Sequence, residues 1–189
     1  IHNVMNTDIV AGISDAATDG LNLVFTTDSG KEYLKSEHQI PAEIVDNLRH
    51  LGFSSICNMM ASIKTAKELN LGPNDVIMTV ATDGSELYES EKAHLMRDKY
   101  PNGFTAKDAH EIFTTHVVNA DSQHLEILND VGRNRIFNLG YYTWVEQQGI
   151  SVEDFDARRS QEFWKELHKF PPIWDEMIRD FNAQTGVSA

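Results

Sequence analysis

The chain has 189 residues, with 16 Lys+Arg against 29 Asp+Glu, a formal net charge of −13, 41% hydrophobic and 24% charged residues. This is globular composition with length enough for a core, and its acidity argues against nucleic acid and anionic membranes, which select basic faces. The one cysteine, Cys57, excludes an intramolecular disulfide and fits a reducing, cytoplasmic setting.

No apolar run nears the roughly 20 residues that span a bilayer. The start, Ile1-His2-Asn3-Val4, has neither the basic nor the apolar region of a signal peptide. It is not a Met, which leaves open that the polypeptide is a piece of something longer.

Residues 9–13 (Ile-Val-Ala-Gly-Ile) read as a buried strand, and Ser14-Asp15 offers an N-cap for a short helix over 15–24. The stretch 26–41 is polar and loop-like. Residues 42–50 carry Ile44, Val45 and Leu48 on a short amphipathic helix. After Gly52 comes a long helix to about Leu69, with Ile56, Met59, Met60, Ile63, Ala66 and Leu69 on one stripe and Ser54 or Ser55 able to cap it. Gly72-Pro73 ends it. Val76-Ile77-Met78-Thr79-Val80 reads as a strand buried on both faces, as in a parallel sheet. Thr82-Asp83-Gly84-Ser85 is a tight turn, and Glu86-Leu87-Tyr88 opens another helix. From Thr105 the pattern is helical, with a capping box of Thr105 and Asp108. Helices are expected over 106–119, 121–138, 140–148, 160–169 and 172–183, the last opened by Pro171-Pro172. There are no internal repeats. A unit with two strands is too small for a parallel sheet core, so the chain looks like the end of a larger α/β enzyme.

Two places suit a ligand. Gly52-Phe53-Ser54-Ser55 puts a glycine and two hydroxyls at a helix N-terminus, which attracts an anion. Thr82-Asp83-Gly84-Ser85 lies at the C-terminal end of the predicted parallel strand, where open α/β sheets bind ligands. From these residues alone, plain capping and turn roles are the simpler explanation of both. The eight histidines show no metal-ligand spacing and read as surface or partly buried groups, His2 being the one to watch. Cys57 reads as a buried thiol without an adjacent histidine. Glu111, Glu126 and Asp121 read as solvated faces. Tyr141-Tyr142-Thr143-Trp144 reads as core or subunit-interface packing.

Together these residues resemble a known family. Gly52 through Lys64, GFSSICNMMASIK, resembles the G-I-S-S/G helix of fold-type II pyridoxal-phosphate enzymes such as cysteine synthase and cystathionine β-synthase. Val76 through Tyr88, VIMTVATDGSELY, looks like their later strand and turn beneath the cofactor ring. Residues 1–8 and Arg135 through Gly149, RIFNLGYYTWVEQQG, resemble a bacterial branch of cysteine-synthase-like proteins. The resemblance spans roughly residues 1–160 and covers only the C-terminal part of such an enzyme.

The resemblance implies an α/β fold. Residues 1–100 would be the C-terminal part of a three-layer αβα large domain, and 101–189 a helical extension for packing or an oligomer interface. It implies β-elimination or β-replacement on a small amino-acid substrate with pyridoxal 5′-phosphate as electron sink. The cofactor lysine and the glycine-rich phosphate loop belong to an N-terminal portion. The nine lysines of this chain lie in contexts unlike the cofactor lysine. The chain would act with that N-terminal portion, as a homodimer. The cofactor-side residues carried over are Gly52, Asp83, Gly84 and Ser85. In the family a serine stands near the pyridine nitrogen. Here Gly84 takes that slot, so Ser85 shifts in, Asp83 substitutes, or the contact is lost. Phe53 stands where the family has a small aliphatic residue. The alternative reading is a non-catalytic binding or regulatory module that kept the fold.

Overall fold

The computed structural model describes residues 3–187; Ile1 and His2 lie outside the described residues. The chain divides into two compact units, one of residues 11–126 and one joining 1–10 to 127–189. The described residues are mostly helical, as expected for the C-terminal half, and hold one two-stranded sheet. The three-layer sheet implied by the resemblance is not among them.

In the unit of residues 11–126, α1 (Asp15–Thr26) starts at Ser14, whose hydroxyl accepts from Ala17 N–H. The helix runs through Leu21, Leu23, Val24 and Phe25, all buried. It packs against α2 (Asp28–Ser36), α4 (Phe53–Glu68) and α6 (Ala106–Phe113). Thus α6, expected in the helical extension, lies in this unit. The core closes on Leu34, Val45, Ile56, Met60, Phe104 and Ala109. Burial of each such side chain contributes about 1.5–3 kcal/mol. Short α3 (Ala42–Asn47) and α5 (Glu89–Lys99) complete the unit.

The expected loop 26–41 is wrong over α2. Thr27 caps that helix by accepting from Gly30 N–H at 3.2 Å. A Cβ on Gly30 would fall 2.6 Å from Val24 Cα, so the glycine sits in the helix because two backbones touch there. Tyr33 and Leu34 then reach the core.

The strand expected at 76–80 does not form: the segment has no regular secondary structure and joins no sheet. Val76 is 87% and Met78 93% exposed, with Val80 and Ile77 also open to solvent. A strand is a pairing as much as a pattern. Apolar residues on both faces call for neighbours that the described residues do not supply.

The strand expected at 9–13 exists as β1 (Ile9–Ala11), and its partner is β2 (Leu125–Ile127). Gly12 N–H donates to His124 O and Leu128 N–H to Asp8 O, each at 2.8 Å. The register is antiparallel, not parallel. β2 interrupts the helix expected over 121–138. His124 has φ +60, which no helix continues, and Asn129 caps α7 (Asp130–Tyr141) by accepting from Gly132 N–H.

In the unit holding 127–189, α7 runs on into a π-helical turn, Tyr142–Gln147, so 140–148 is not a separate helix. A similar turn, Thr114–Val118, follows α6, whose Thr105–Asp108 capping box forms as expected. Three helices follow: α8 (Val152–Ala157), not foreseen from the sequence, α9 (Gln161–Leu167) and α10 (Phe170–Thr185). Arg133 anchors α7 by donating to Thr7 O at 2.9 Å and pairing with Asp8 and Asp130. Phe137 and Phe155 stack at 4.7 Å in its small core.

Candidate functional site

The four residues singled out from the sequence converge. Gly52 N–H donates to Asp83 O at 2.7 Å. Ser85 Oγ donates to Leu51 O at 2.8 Å. The turn 82–85 is thereby fastened onto the N-terminus of α4. Gly52 is needed for close approach, not for an unusual backbone angle. A Cβ there would stand 2.7 Å from Asp83 O, 2.8 Å from Asp83 Oδ1 and 2.9 Å from Tyr88 Cε2.

Neither Ser54 nor Ser55 caps α4; its N-cap is Gly52, with no side-chain bond. The anion that sequence analysis expects near this terminus is supplied by the chain itself, in the carboxylate of Asp83. Its negative charge complements the helix dipole. Tyr88 donates its hydroxyl to Asp83 Oδ2, and Thr82 Oγ1 donates to Oδ1 at 2.8 Å. The Tyr88 hydrogen bond, then that of Thr82, holds the Asp83 carboxyl below the ordinary aspartate range. The same bond pushes the Tyr88 hydroxyl above its usual value. The Phe53 ring lies 4.6 Å from that of Tyr88, so the larger residue at 53 has a partner.

Two residues that sequence reasoning missed, Asn22 and Asn58, and one it marked in another role, Ser55, build the rest. Asn22, buried within α1, donates to Ser85 Oγ at 2.7 Å. Its signal is a lone amide inside Leu21-Asn22-Leu23-Val24-Phe25. Buried Ser55 accepts from Thr82 N–H at 2.9 Å. Asn58 donates to Val80 O at 2.9 Å and pins the end of the apolar segment 76–80. No pattern in the sequence marks Asn58, and Ser55 reads from the sequence only as a hydroxyl at the helix start.

Ser85 Oγ therefore has its proton committed to Leu51 and a lone pair to Asn22. Asp83 is half-buried, and the Tyr88 and Thr82 hydrogen bonds favour its ionised form. A carboxylate such as Asp83 can accept from a cationic N–H donor, whereas Ser85, its proton given to Leu51 O, has none to offer an acceptor such as an unprotonated ring nitrogen. Gly84 brings no side chain, and a Cβ there would meet only the Glu86 carboxylate. Among the described residues no group of three or more His, Cys, Asp or Glu is placed to hold a metal. Nor is any helix long and apolar enough to cross a membrane. Cys57 is a free, half-buried thiol.

Comparison with family models, curated protein sequences and solved structures finds no match to this chain.

Proposed function

We propose that this chain is the C-terminal part of a fold-type II pyridoxal-phosphate-dependent enzyme that carries out β-elimination or β-replacement on amino acids. The proposal includes the finer fold, in which 76–80 lies in the sheet of an αβα domain completed by an N-terminal portion bearing the cofactor lysine and phosphate loop. One observation carries it. The apolar segment 76–80 is exposed, joins no sheet, and leads into a turn locked against the start of α4. An unpaired apolar segment, a turn and a helix N-terminus held together support the strand and cofactor-site floor that the resemblance implies for these residues.

In this reading Asp83 accepts the hydrogen bond of the protonated ring nitrogen and keeps it protonated. Tyr88 and Thr82 hold that carboxylate ionised. Gly52 lets the turn approach, and Asn22 with Ser85 fixes its height. The cofactor, when bound, supplies the electron sink that lets a β-substituent leave. The exposed rings of Tyr141 and Tyr142 are the proposed homodimer face. Assays of β-elimination and β-replacement on serine and cysteine derivatives, with the two portions combined, test the reading. The non-catalytic alternative draws on Ser85, whose hydroxyl is spent within the fold; cofactor binding without turnover would select it.

A further inference from the structure

A cavity lies within the unit holding 127–189, apart from the residues of the site above. It has a volume of about 350 Å³. Its walls include Ile136, Phe137, Leu139, Trp144 and Trp164, and its one charged lining group is Arg158. The aromatic cluster marked in the sequence supplies Trp144, on the π-helical turn that follows α7. Such turns are frequent at functional sites, because the widened turn re-aims a side chain.

Arg158 is the unusual member. Its guanidinium stands 4.6 Å from the Phe155 ring centroid, 5.3 Å from that of Trp144 and 5.5 Å from that of Phe137. Its Nε donates to Phe155 O at 3.4 Å. Trp164 Nε1 donates to Arg158 O at 2.8 Å and fixes the backbone. No carboxylate pairs with Arg158 among the described residues, and burial pushes its guanidinium below the usual value. Its neighbour Arg159 is the contrast: it pairs with Asp156 and donates to Asn134 and Asn138. A half-buried cation held by aromatic rings and one Nε hydrogen bond, with no partner on its terminal nitrogens among the described residues, presents them in the fork that grips a carboxylate with two parallel bonds. The remaining walls are apolar and carry no second cation. That favours a monoanion with a hydrophobic body over a phosphate dianion.

We propose that this cavity binds a small organic monocarboxylate, its apolar body among Trp144, Trp164 and Phe137 and its carboxylate on the terminal nitrogens of Arg158. Phenylacetate, its neutral analogue phenylacetamide and inorganic phosphate are titrated into the full chain. Tryptophan fluorescence and the indole N–H signals are followed by NMR. Phenylacetate is expected to saturate the site, with phenylacetamide and phosphate each at least about tenfold weaker, the size of a lost charge-assisted hydrogen bond. Arg158→Met brings the acid level with the amide. Gly140→Val keeps the charge but adds bulk where a Cβ already lies 3.4 Å from Trp144 Cδ1, and it weakens acid and amide alike. The proposal is overturned if the folded chain gives no saturable response or if acid and amide bind equally. It is equally overturned if phosphate binds more tightly than phenylacetate. The acid–amide comparison on the unaltered chain decides even if Arg158→Met does not fold.

Discussion

Asn22 Nδ2 donates to Ser85 Oγ across 2.7 Å, with both side chains buried. Ser85 passes its own proton to Leu51 O. The amide of α1 thus sets the position of the turn 82–85 through one hydroxyl. Asn22→Ala removes the donor and is expected to cost about 1–3 kcal/mol of unfolding free energy. Ser85→Ala costs more, because it strands both Asn22 and the Leu51 carbonyl. Urea unfolding of both single variants and the double variant measures the coupling, which must exceed about 0.5 kcal/mol for this account to hold.

Gly52 and Gly84 are expected to differ. Gly52→Ala forces a methyl against main-chain Asp83 O and the Tyr88 ring. It should destabilise by about 1–3 kcal/mol, the usual range for overpacking. Gly84→Ala meets only the exposed Glu86 carboxylate, which can swing away, and should stay within about 0.5 kcal/mol. Thermal melts of the two variants side by side check the order.

Asp83 titrates below the ordinary aspartate range because Tyr88 and Thr82 donate to it. Its folded value lies below its unfolded one, so its contribution is present above the ordinary aspartate range, near pH 4. It is lost as pH falls through the lower folded value. Tyr88→Phe moves the folded value upward and shrinks that loss. A carboxyl carbon NMR titration of Asp83 in both chains reads the shift directly.

His116 titrates below the usual histidine range, first because it is partly buried and second because Lys64 is near. Its stabilising contribution is therefore full above the unfolded value, near pH 6.5, and declines as pH falls toward the folded value. Lys64→Met should raise the His116 value part of the way back, since burial remains. Ring-proton NMR against pH shows it, and an unmoved value would contradict the stated cause.

The exposed segment should be nearly indifferent to polarity in this chain and demanding once paired. Met78→Lys is expected to change stability by no more than about 0.5 kcal/mol, as at other exposed positions. The same change should abolish association with an N-terminal portion, measured by sedimentation. Equal association by both chains would remove 76–80 from the interface.

Local signals in the sequence carried well. The Thr105–Asp108 capping box, the Ser14 cap and the stripe that buries Ile56 and Met60 all depend on neighbours within a few residues. What failed depended on distant partners. Gly30 reads as a loop breaker until Val24 is seen packed against it. Leu125–Ile127 reads as helix until β1 pairs with it. Val76–Val80 has the composition of a buried strand, and composition does not say which chain buries it. At the candidate site, Gly52 and the turn 83–85 were legible as a glycine at a helix start and a turn after an apolar run. The partners of Ser55 and Tyr88 were not, because Ser55 acts through the turn about thirty residues on and Tyr88 reads only as part of a helix start until its hydroxyl meets Asp83.

The most direct test of the central claim is visible absorption. Pyridoxal 5′-phosphate is titrated into an equimolar mixture of this chain and the N-terminal portion, and into each alone. The account predicts a new saturable visible band that requires both portions and weakens when Asp83→Ala replaces the native chain. A folded complex of the two portions that takes up no cofactor would contradict it.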